Sequence, residues 1–143
     1  MTRAVLDDHL LRDLLADDLS KSLAGLLATH DPATTKLYYV RLCKSVVSAR
    51  GGRLTAAWPT EQRRALGRTL VTLPAHIEVV PIRTLAFRMA ELTDQHRLST
   101  LGAEAVAAAV HLDAPLCVWA GDDGPTIRTA AVANGAEYRT FTQ

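Results

Sequence analysis

A chain of 143 residues holds one domain with one well-buried core. Hydrophobic residues at 48% and charged residues at 22% exclude a disordered chain, and no apolar run approaches the roughly 20 residues of a membrane helix. The net charge of +1 excludes a uniformly basic or acidic protein.

Residues 3–7 predict a short buried strand and 9–16 a first helix. Ser20 caps a second short helix through His30. Asp31-Pro32, a capping carboxylate before a first-turn proline, predicts a helix running to about Ala49 and stopping at Gly51-Gly52. Pro59-Thr60 opens another helix, which ends before Pro74. IEVVPI (77–82) predicts a strand and 83–96 a helix. Ser99 caps the alanine-rich helix TLGAEAVAAAVHL, and PLCVWA (115–120) follows as a strand. DDGPTIRTAAVANG is a loop entering a helix, with Pro125 in the first turn and Gly135 just past the end. AEYRTF (136–141) is the last strand. The alternation predicts one α/β domain over 1–143, with a mostly parallel sheet of about four strands flanked by helices.

Ligands of such folds bind beyond the carboxyl ends of the strands. Asp7 and Asp8 sit at one such end, and Asp122 and Asp123 past another. The bland alternative is a charge at a helix N-terminus, favourable by a few tenths to about 1 kcal/mol. Charge is also uneven along the chain. Residues 32–60 contain no acid and five bases: Lys36, Arg41, Lys44, Arg50 and Arg53. On the central helix Lys36, Arg41 and Lys44 form one arc, with Arg41 and Lys44 three apart on a shared face. Such a face, with tyrosines nearby, could hold RNA through phosphate contacts and base stacking, or a protein partner. The bland reading is the solvated side of an amphipathic helix whose other arc is Tyr38, Tyr39, Leu42, Cys43 and Val46. The histidines have no zinc spacing. Cys43 and Cys117 read as reduced thiols, and acids interrupt the N-terminus by Asp7, so a cytoplasmic protein without a signal peptide is expected.

The stretch VLDDH is similar to the opening of a response-regulator receiver domain. The acid-free 32–60 segment lacks that family's phosphate acceptor, and none of Lys21, Lys36 and Lys44 falls late enough. AVLDDHLL, LSTLGAEAVAAAVHLDAPLCVWA (98–120) and NGAEYRTF together resemble the PIN-like domain, the fold of VapC-type toxins and related nucleases, over nearly the whole chain. The resemblance implies a three-layer α/β/α PIN-like domain. It also implies a ribonuclease ancestry in which carboxylates gather Mg²⁺ or Mn²⁺ for phosphodiester hydrolysis. Carried over, Asp7 matches the first family acid. The second belongs near Arg41 to Cys43, where there is none, and the third at Gly102. Glu104 lies two positions on, about 160° away around the helix. The fourth belongs near Ala120 or Gly121, with Asp122 close by.

The resemblance therefore names Asp7, Glu104 and Asp122 as catalytic candidates, and Asp7, Asp8 and Asp122 as metal ligands of low occupancy, with Asp123 as an alternative acid. An arginine in an acid's place predicts that Asp7 or Asp8 pairs with Arg41 or another base. Two functions follow: a degenerate site that binds RNA or a protein partner with weak or no cleavage, or an active Mg²⁺/Mn²⁺-dependent endoribonuclease. An unrelated role on an α/β scaffold is a third. The family further implies a homodimer and a small antitoxin-like partner.

Overall fold

Ala4, Val5 and Leu6 of β1 (Thr2–Leu6) are fully buried. Val5 faces one core, while Ala4 and Leu6 face another. A strand apolar on both faces belongs in the middle of a parallel sheet. The computed structural model, which describes residues 2–48 and 52–142, places it there. Among the described residues the sheet has five strands, all parallel, in the order β3-β2-β1-β4-β5, and eight α-helices surround it.

After β1 come α1 (Asp8–Leu15), α2 (Lys21–Leu27), β2 (His30–Thr35), α3 (Lys36–Val47), α4 (Gly52–Thr55) and α5 (Thr60–Val71). Next are β3 (Glu78–Val80), α6 (Ile82–Gln95), α7 (Thr100–Leu112), β4 (Leu116–Trp119), α8 (Pro125–Ala133) and β5 (Tyr138–Phe141). Leu85 and Leu92 of α6, the alanines of α7, and Ala130 and Ala131 of α8 pack with Val5, Leu116 and Val118 on one face. Leu10 of α1 and Leu23 and Leu26 of α2 pack with Leu6, Cys117 and Phe141 on the other. The result is an α/β/α arrangement of three layers. A third cluster, with Leu11, Leu42, Leu54, Leu66 and Leu70, ties α3, α4 and α5 onto α1.

The predicted caps form: Ser20 accepts from Leu23 N at 3.2 Å and Ser99 from Gly102 N at 3.1 Å. Pro125 is the first residue of α8, and Gly135 follows that helix at φ +82°. The Asp31-Pro32 helix start is corrected. HDPATT is strand β2, which raises the sheet from four strands to five and ends α2 at Leu27 rather than His30. A proline inside a sheet normally removes a ladder hydrogen bond. Here β3 pairs only with Ala33–Thr35, so at Pro32 the strand is locally an edge. Thr34 Oγ1 donates to Leu6 O at 2.8 Å, fixing β2 to β1. The helix begins instead after Thr35, whose hydroxyl accepts from Tyr38 N at 3.2 Å. Helix α3 ends at Val47; Ala49 and Gly51, where its stop was expected, lie outside the described residues. The short α4 has no counterpart in the sequence reading. No helix among the described residues is long and apolar enough to cross a membrane.

Candidate acidic crevice and its basic wall

From β1 the chain turns to β2 on one side, whereas β4 and β5 lie on the other. The switch point therefore falls between β1 and β4, and a crevice opens beyond their carboxyl ends. Asp7 stands at its base, one residue past β1, as the N-cap of α1. Its Oδ1 accepts from Leu10 N at 2.9 Å and its Oδ2 from Trp119 N at 3.0 Å, so one side chain ties the start of α1 to the end of β4. Burial outweighs these two hydrogen bonds and, helped by the neighbouring Asp8 charge, pushes the Asp7 carboxyl up to about 6.

Asp8 is the first residue of α1. Its Oδ1 accepts from His9 N at 2.9 Å. Its buried Oδ2 has no hydrogen-bond partner among the described residues and faces Arg41 Nε of α3 at 3.5 Å. Asp122 lies in a 3-10 turn, Ala120–Asp122, after β4 and is ion-paired with Arg53 of α4. One carboxylate oxygen from each of Asp7, Asp8 and Asp122 lies within 4.8 Å of the others. They share a cavity of about 140 Å³ with Arg41, Tyr38 and Ile127. Burial, and then the charges of Asp7 and Asp8, hold the Tyr38 phenol well above its usual value.

The predicted ion pair is present: Asp8 takes Arg41. Asp122 takes a second base, Arg53, which the sequence offered only as one of five cations in the acid-free segment. Helix α4 carries Arg53 and is held from two sides. Arg12 Nη1 of α1 donates to Leu54 O at 2.6 Å, and Thr55 Oγ1 donates to Ser45 O of α3 at 3.0 Å. Gly52 sits at φ +57°, and a Cβ there would come 3.1 Å from Ser45 Cα, so glycine permits α4 to lie this close to α3. Arg12 also donates to Asp13 at 2.8 and 3.0 Å and lies over the Trp58 ring. Although burial pushes the Asp13 carboxyl up, hydrogen bonds from His9 and Arg12 hold it below its usual value. His9 stacks on Trp119, centroids 4.1 Å apart and nearly parallel.

Glu104 is not in the acid group. Its Oε1 accepts from Leu37 N at 2.8 Å in the first turn of α3, and it does not line the cavity. Asp123 is also drawn away: Tyr138 Oη and Arg128 donate to it, both at 2.9 Å, and hold its carboxyl below the usual range. A Cβ on Gly102 would meet Ile127 and Leu98 at 3.2 and 3.3 Å, so apolar side chains fill the place of the expected third acid. A Cβ on Gly121 would collide with the Trp119 indole. Of the basic residues, Arg41 and Lys44 join Arg53 around a second pocket of about 240 Å³, which also includes Ser45, Gly52 and Leu54. Lys36 is exposed at the start of α3 and lines neither cavity.

Three carboxylates are hard donors, and Asp8 Oδ2 is a buried acceptor without a hydrogen bond among the described residues. That set fits a small divalent cation, with two arginines competing for it. Comparison with protein-family models returns no match, and comparison with the sequences of curated proteins returns none either.

Proposed function

We propose that the chain is a PIN-like protein of metal-dependent ribonuclease ancestry that binds RNA and cleaves it weakly or not at all. One observation carries the reading: two of the three converging acids each have an arginine partner, Asp8 with Arg41 and Asp122 with Arg53. Asp7, Asp8 and Asp122 would hold Mg²⁺ or Mn²⁺. Such an ion, when bound, supplies a Lewis acid and a more acidic water at the phosphodiester. The protein's own arginines oppose that occupancy, because they already neutralise the carboxylates the ion needs. The same arginines, with Lys44, present a cationic wall to a phosphate backbone. Asp7 keeps the two strand ends together whether or not a cation is bound. The parallel sheet and the acid at the end of its central strand agree with the resemblance, and two free thiols agree with a cytoplasmic setting.

The test pairs RNA binding with cleavage. Single-stranded RNA should bind with an affinity that falls steeply with salt. Incubation with Mg²⁺ or Mn²⁺ should leave it at or near the background of a chelator control. The convergence of three acids within 4.8 Å favours a second reading, an active endoribonuclease. Chelator-sensitive cleavage that Asp7→Asn abolishes would establish that reading in place of the first. RNA that fails to bind at low salt would remove the first reading.

A further inference from the structure

The acidic crevice and the basic pocket are not independent, because Arg41 lines both and Arg53 reaches from the pocket to Asp122. The two ion pairs share an asymmetry. The acids are covered, with side chains 4% exposed for Asp8 and 23% for Asp122; the cations are open, at 43% for Arg41 and 60% for Arg53. An exposed arginine is easily claimed by another anion, since its pairing is weak and solvent-screened. A covered carboxylate that loses its partner is left in a low-dielectric site beside two others and needs a new cation.

We infer that the pocket formed by Arg41, Lys44 and Arg53 takes a phosphate group of an RNA strand, and that phosphate and divalent-cation binding assist each other through the two arginines. The inference rests on the RNA-binding reading and adds the substrate group and its coupling; cleavage stays weak with the cation admitted, because Ile127 and Leu98 fill the place at Gly102 where a further acid would stand. A phosphate seated against Arg41 and Arg53 draws them from Asp8 and Asp122, which strengthens the hold of Asp7, Asp8 and Asp122 on a cation. Linkage requires the reverse: the cation frees both arginines and tightens the phosphate by the same factor. The pocket, about 240 Å³, holds a phosphate with its first waters. Its three cations come from α3 and α4, whose mutual position Thr55 and Ser45 fix by a hydrogen bond of 3.0 Å.

The experiment titrates micromolar Mn²⁺ into the full chain, followed by electron paramagnetic resonance. It is run alone, with a uridine tetranucleotide, and with inorganic phosphate. The tetranucleotide should tighten Mn²⁺ about fivefold or more, and Mn²⁺ should tighten the tetranucleotide equally. Arg53→Ala should bind Mn²⁺ more tightly than wild type without any anion and lose most of the enhancement. Lys44→Ala should weaken the tetranucleotide about threefold or more; thermal melts confirm that both variants are folded. Mn²⁺ affinity that neither anion raises, or that Arg53→Ala leaves unchanged, overturns the inference. If RNA still binds in that case, the function proposed above stands without it. Enhancement by inorganic phosphate but not by the tetranucleotide overturns the RNA source.

Discussion

Glu104 and Asp8 are both buried carboxylates with one oxygen held by a backbone N–H and the other without a hydrogen-bond partner among the described residues. Their surroundings separate them. Glu104 projects from the alanine-rich α7 to the first turn of α3, where a helix has unsatisfied N–H groups, and it does not line the acidic crevice. Asp8 opens on a cavity, with two acids within reach and a cation opposite. A buried acid alone does not mark a site; convergence with other acids beside open volume does. Glu104 is a cap supplied by a distant helix, and Asp8 belongs to a group able to exchange its partner.

Substitutions can break that contrast. Glu104→Ala leaves Leu37 N–H without its acceptor and a void beneath α3, so it should cost about 3 kcal/mol or more in urea melts while leaving Mn²⁺ affinity in place. A large loss of Mn²⁺ affinity in a folded variant would put Glu104 back in the site. The pH dependence of stability comes next. Burial raises the Asp7 carboxyl from 3.8 to about 6 in the folded chain. Its stabilising contribution is therefore complete below pH ~4 and is lost as pH rises through ~6, about 3 kcal/mol in all. Urea melts in chelator should show this decline, and Asp7→Asn should flatten it. Gly102→Asp should cost about 1–3 kcal/mol by crowding Ile127 and Leu98, with Ile127→Ala recovering part of the loss. If the new carboxylate also raises Mn²⁺ affinity, the acid group has been extended. Smallest is Arg41→Ala, expected to cost about 1 kcal/mol in chelator and less when Mn²⁺ is present.

The layer architecture was legible in the chain because strand and helix patterns alternate, and the caps at Ser20 and Ser99 because capping chemistry is local. β2 was not. Asp31-Pro32 is a strong local helix signal, and it is overridden by pairing to β1 and by β3 stopping short of Pro32. Asp7, Asp8 and Asp122 could be placed in advance because each follows a strand end, a position topology alone makes special. Arg53 could not, because its place depends on α4 folding back against α3 and α1. The withdrawal of Asp123 toward Tyr138 and Arg128 likewise depends on β5 and α8 meeting, which no local pattern encodes.

Asp8 and Arg12 stand one turn apart on the eight-residue helix α1. The first supplies negative charge to the crevice, and the second grips the Leu54 carbonyl next to Arg53, the residue that masks Asp122. Any twist of that short cylinder about its axis therefore moves an acid and slackens a neighbour's shield together. Field and screen are geared to one shaft, so neither can be adjusted from α1 without turning the other.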